Sequence, residues 1–292
     1  MDGLAPVDAW AAAAILAKAA GYAAALLAMG GPLFLAAFPQ ARDDVRRLAL
    51  RLAVAAALVG LAVLALRFGI RAARLSGMGL PGAVDPMLLG MVWDSPLGTA
   101  AIWRAGGELL VLTLLLKARI GLWPAAFGSV LIALSYTFVG HSLGDPRWLL
   151  ATLLVLHLLA AGFWVGALAP LHRAAGRPGG AALLHRFGRL ASATVALLVV
   201  VGAAFAWLLT GSLGGLLGTA YGWTLIAKLV VVSGLMVLAA LNKWRFVPGL
   251  AGDDPRAAGH LRRSIRLEAF AVGLILLATA TLTTVTTPPV NL

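Results

Sequence analysis

Two of the five histidines in this chain fall in one stretch, FVGHSLGDPRWLLATLLVLHLLAAGFWVGALAPL, residues 138–171. His141 sits in a short polar turn rich in Gly and Pro. His157 sits in the middle of a run apolar enough to cross a membrane. An imidazole nitrogen is a donor or an acceptor, and also a metal ligand. At mid-membrane depth it therefore needs a hydrogen bond, a metal or a haem. His172, His185 and His260 lie among basic residues in connecting segments, where a solvated surface position accounts for them.

Methionines supply the other soft donors. Met78, Met87 and Met91 occur in GMGLPGAVDPMLLGMVWDSP, and Met87 and Met91 are spaced to share a helical face. Met29 and Met236 lie in the inner halves of their apolar runs and extend the set. Cysteine is absent, which removes disulfides and thiolate sites. Thioether and imidazole without thiolate is a donor set suited to Cu(I), although methionine also serves as filler in apolar helices.

The elements that must position these residues follow from composition. Hydrophobic residues make up 61% of the 292 and charged residues 12%, about half the charged share of a soluble domain, roughly 25%. The chain cannot cover a water-facing surface and is expected to be an all-α polytopic membrane protein. Eight apolar runs approach the roughly 20 residues a bilayer core requires: 10–37, 49–70, 97–117, 120–139, 148–170, 190–210, 222–242 and 267–286. The connectors between them are too short for a soluble domain, so residues 1–292 form one transmembrane unit. The acidic start, MDGLAPVD, does not resemble a cleavable signal peptide.

The net charge of +12 would suit a nucleic-acid partner, but its placement follows topology instead. Arg42, Arg46, Arg47 and Arg51 follow the first run, Lys117 and Arg119 the third, and Arg173, Arg177, Arg186 and Arg189 the fifth. Lys243, Arg245, Arg256, Arg262, Arg263 and Arg266 follow the seventh. The opposite loops are poorer, with Arg67, Arg71 and Arg74 the one discordant cluster. The positive-inside rule then places both termini on the outer, periplasmic side.

An internal repeat is expected as well. LGTAAIW at 97–103 matches LGTAYGW at 217–223, RLA occurs at 51–53 and 189–191, and KARIGLWP resembles LNKWRFVP. These matches suggest two parallel four-helix halves, about 1–139 and 140–292. The same offset aligns Glu108 with Lys228, two charges inside apolar runs and a candidate structural ion pair between halves. Trp148 marks the outer interface, and nine residues at 1.5 Å put His157 roughly 13 Å inward, near mid-membrane. Trp164 lies two turns further along the same face, as a gate or as packing.

The string 138–171 resembles the signature of the copper-resistance protein D family (CopD/PcoD-like). Residues 211–248 and 263–289 are also similar to that family. The resemblance implies an inner-membrane bacterial protein handling copper, with a separate periplasmic copper-binding protein as partner. The family's "GH" and "LH…W" fall on His141, His157 and Trp164. A copper-transport reading then has Met87, Met91 or His141 receive the ion and His157 hold it part-way down. Two other classes stand beside it. A haem-b electron carrier needs two axial histidines at matching depth, and only His157 lies within a run. An assembly factor or sensor would use the histidines for structure alone. No nucleophile, carboxylate pair or nucleotide loop occurs at useful spacing, so an enzyme is not expected.

Overall fold

The computed structural model describes residues 7–116, 120–140, 146–252, 254 and 256–286. Their elements are α1 Ala9–Ala37, α2 Asp43–Ser76, α3 Leu80–Ala83, α4 Pro86–Trp93, α5 Pro96–Val111 and α6 Leu122–Ser135. Then come α7 Arg147–Ala174, α8 Gly180–Thr210, α9 Leu213–Gly218, α10 Ala220–Leu241, α11 Val247–Ala251 and α12 Ala257–Val285. Single 3₁₀ turns extend α5 to Leu115 and α6 to Phe138, and a π turn at Asn242–Phe246 joins α10 to α11.

Helix starts are set by side-chain caps. Asp8 accepts the Ala11 N–H at 2.6 Å ahead of α1, Ser95 caps α5 and Thr219 caps α10. Gly77, at φ 67°, ends α2 in the left-handed conformation that costs glycine little.

Among the described residues, seven helices are long and apolar enough to cross a membrane: α1, α2, α5 with its extension, α7, α8, α10 through α11, and α12. The chain is thus an all-α multi-pass membrane protein. The sequence predicts eight spans. The fourth, Leu122–Phe138, is apolar but shorter, because the helix starts two residues late and its end tightens into 3₁₀ geometry. Several helices also run past their apolar windows. α8 begins at Gly180 and α12 at Ala257, each about ten residues into a basic segment. Arg and Leu are good helix formers, and long basic side chains let a helix emerge from lipid without stopping.

The two copies of the repeated string differ locally. LGTAAIW lies wholly inside α5, whereas LGTAYGW straddles α9 and α10 with Thr219 as the cap. Both helices are nonetheless entered from a short preceding helix, α4 or α9.

α1 is the centre of the bundle and packs against α2, α6, α7 and α12. Its tightest crossing is with α7. A Cβ on Gly30 would lie 2.1 Å from the Gly162 carbonyl oxygen and 2.6 Å from Gly166 Cα. The Gly162–Gly166 spacing is the small-residue pattern that lets membrane helices approach backbone to backbone, and it fixes the face of α7 that carries Trp164. Glycine on both sides leaves this crossing no room for a side chain.

The basic-loop ends of the helices gather on one side. Arg173 at the end of α7 pairs with Asp44 at the start of α2 at 3.3 Å. Arg186 of α8 donates to Gln40, Lys243 to Ser192, and Arg262 of α12 to the Ala175 carbonyl. The far end of α2 and the start of α7 therefore lie together on the opposite side. α5 and the shorter apolar helix Leu122–Phe138 lie between these two ends along the chain.

Candidate functional site

Among the described residues, three polar groups interrupt the apolar interior, each held by a different set of helices. The first is centred on α5. Arg104 and Glu108, one helical turn apart, are both buried, and Arg104 Nε donates to Glu108 Oε1 at 2.5 Å. The guanidinium also donates to the Tyr136 hydroxyl and, at 2.9 Å, to the Gly21 carbonyl of α1. Glu108 Oε2 is buried without a hydrogen-bond partner. The carboxylate lies flat on Gly60 of α2, where a Cβ would be 2.2 Å from Oε1.

The expected pairing of Glu108 with Lys228 is not what forms. Glu108 pairs instead with Arg104 of its own helix, and no ion pair joins it to Lys228. The physical reason is proximity: Arg104 reaches the carboxylate from four residues away on the same helix.

The second group ties α1 to α12. Lys18 Nζ donates to the Thr283 carbonyl at 2.5 Å, and the Tyr22 hydroxyl lies 3.1 Å from Thr283 Oγ1. The Tyr22 and Tyr136 rings, 5.6 Å apart, connect it to the first group.

The third group lies between α7, α10 and α12 and contains three of the expected residues, His157, Trp164 and Lys228. His157 is half-buried, and its Nδ1 is buried without a hydrogen-bond partner. Lys228 of α10 lies in the surroundings of the imidazole. Two turns along α7, Trp164 is 5% exposed, and its Nε1–H donates to Glu268 Oε2 of α12 at 3.3 Å. Asn242 Nδ2 donates to the other carboxylate oxygen, Oε1. Trp164 thus packs in the core, edge-on to Phe187 at 6.4 Å, while anchoring a buried carboxylate.

The remaining expected residues are more scattered. Met29 is fully buried in the α1–α7 seam, against Gly162 and five residues along α7 from His157. Met236 is half-buried on α10. Met87 and Met91 are both exposed on α4, and Met78 is exposed in the turn before α3. His141 lies outside the described residues. Among the described residues, no three His, Cys, Asp or Glu side chains gather as a metal cluster.

Sequence reasoning missed Arg104, Lys18 and Glu268. Arg104 was legible from its spacing to Glu108. Lys18 and Glu268 carried the same signal as Glu108 itself, a charge inside an apolar run.

Residues 7–146 match the family model of the copper resistance protein D-like N-terminal domain, and residues 181–282 match that of copper resistance protein D. Residues 147–180, which hold His157 and Trp164, lie between the two matched segments. Searches of curated proteins and of solved structures gave no match. The two matched segments lie in order along one chain and together span most of it. By these matches the chain belongs to the copper resistance protein D family.

Proposed function

We propose that this protein carries copper inward across the bacterial inner membrane, as Cu(I), and so contributes to copper homeostasis and resistance. The observation that carries the reading is the orphaned Nδ1 of His157. A buried polar atom without a partner costs roughly 1–3 kcal/mol by mutational measures and more against an alkane-like medium. Of the partners open to an imidazole at that depth, the hydrogen bond is not made at this nitrogen. A soft cation is the partner that the family and the donor set both favour.

His157 lies ten residues into α7. That is about 15 Å at 1.5 Å per residue, or half of a hydrocarbon core about 30 Å thick. Met29, in the seam beside Gly162, offers the next soft donor inward. A conducting site must bind strongly enough to admit the ion and weakly enough to release it.

At the outer mouth, His141 with the exposed Met87 and Met91 receives the ion from a separate periplasmic copper-binding protein. The charge distribution supports cytoplasmic basic loops and two periplasmic termini. The shorter apolar helix Leu122–Phe138 between α5 and α7 supports eight crossings, arranged as two parallel halves of four. Two measurements test the reading together: copper content of protein purified after copper loading, and copper uptake into proteoliposomes under reducing conditions. Bound copper and protein-dependent uptake are expected. A Soret band in copper-free protein would overturn the reading in favour of a haem carrier.

A further inference from the structure

We propose that Glu268 is a proton-binding site, which holds a proton at rest and releases it when a cation occupies the level of His157. The second half of this proposal rests on the copper reading; the first half does not. Glu268 is 3% exposed, eleven residues into α12, and both of its carboxylate oxygens are fixed by neutral donors, Trp164 Nε1 and Asn242 Nδ2. No cation pairs with it among the described residues. Glu108 shows the contrast: it is buried as deeply, but a guanidinium lies 2.5 Å away.

The charged groups of the helices packed around α12 are engaged elsewhere or distant. On α1 the ammonium of Lys18 binds Thr283, at the opposite end of α12. On α10 and its π turn, Lys243 donates to Ser192 at 2.7 Å, Arg245 is exposed, and Lys228 stands 14 residues along from Asn242. α11 carries no charged residue. On α7, His157 lies two turns away, and His172 with Arg173 lies at the basic-loop end. On α12 itself, Arg262 donates to the Ala175 carbonyl, and Arg263 and Arg266 are exposed. A lone carboxylate charge at this depth is expensive, and a proton is the smallest cation that removes it.

The route for that proton is also marked. Ser264 Oγ, one turn toward the basic-loop side on the same face of α12, is buried without a partner, and so is Asn242 Oδ1. As the O–H bond of Glu268 breaks, the proton leaves toward the basic-loop side with the Ser264 hydroxyl as relay, its Oγ accepting the hydrogen bond while its own proton moves on to water at that side. The trigger is electrostatic. Trp164 and His157 are seven residues apart on α7, about 10 Å at 1.5 Å per residue. At an effective dielectric constant near 20, one positive charge at that distance weakens the hold of a carboxylate on its proton roughly tenfold. The negative charge left on Glu268 then draws the cation inward.

Infrared difference spectroscopy of the full-length protein in proteoliposomes tests this directly. At neutral pH a protonated-carboxyl band is expected that disappears in Glu268→Gln. Cu(I) should diminish the band in the wild type and leave it unchanged in His157→Ala. Trp164→Phe, which removes the donor to Oε2, should shift the same band and serves as a second assignment if Glu268→Gln fails to fold. A wild-type spectrum without a band assignable to Glu268 overturns the proposal. A band indifferent to bound copper overturns the coupling. If copper does not bind at all, the copper reading fails separately, while the band still decides whether Glu268 holds a proton.

Discussion

Arg104 Nε lies 2.5 Å from Glu108 Oε1, one turn along α5, and the same guanidinium reaches the Tyr136 hydroxyl and the Gly21 carbonyl. One arginine thus links α5 to α1 and to the 3₁₀ turn after α6. Breaking a buried pair from one side leaves an uncompensated charge. Arg104→Leu or Glu108→Leu alone is expected to cost about 3–5 kcal/mol of stability. The double variant should cost distinctly less than the sum of the two. Heat denaturation in detergent reads all three, and additive losses would show that the two residues are not coupled.

The α1–α7 crossing leads to a steric prediction. Gly30→Val and Gly166→Leu each place atoms inside opposing backbone, and each is expected to cost at least the 1–3 kcal/mol typical of overpacking. Gly234→Ala is the control. Nothing lies within 4 Å of its added Cβ, and the change is expected to be neutral or slightly stabilising, since Ala exceeds Gly in helix propensity by about 1 kcal/mol. Equal losses in all three variants would remove the close crossing as the organising contact.

Much of this architecture was legible in the residues. Long apolar runs located every spanning helix, because lipid leaves the backbone no alternative to helix. Helix ends were less legible. Residues 181–189 and 257–266 are basic, so an apolar window stops there, yet nothing in them breaks a helix. Among the charges, Arg104 was readable from its four-residue spacing to Glu108. The bond from Trp164 to Glu268 joins residues 104 apart in sequence and depends on how α7, α10 and α12 meet. The orphaned nitrogen of His157 was likewise invisible, since a histidine's type says that it needs a partner and not whether it has one.

Met87 and Met91 are exposed on one short helix, so removing their sulfur should leave stability unchanged. Met87→Leu together with Met91→Leu is expected to raise the copper concentration for half-maximal uptake several-fold and leave the maximal rate intact. A full concentration series in proteoliposomes checks this. An unchanged curve would assign the two methionines to the lipid interface alone.

The gathering of basic loops on one side bears on topology. A reporter fused after Leu292 is expected to be active only when it is of the kind that matures in the periplasm. Activity from a cytoplasm-only reporter at that position would invert the orientation proposed for the whole bundle.

The central claim is that a metal takes the free nitrogen of His157. Copper accumulation by wild type and His157→Ala, in cells and in proteoliposomes at matched protein levels, tests it most directly. His157→Ala should fold and insert normally, because Nδ1 makes no hydrogen bond that the substitution could break. It is expected to lose copper uptake by tenfold or more, the change that about 1.4 kcal/mol in the free energy of the ion's passage produces. His157→Ala importing copper at the wild-type rate across the concentration series would contradict the account.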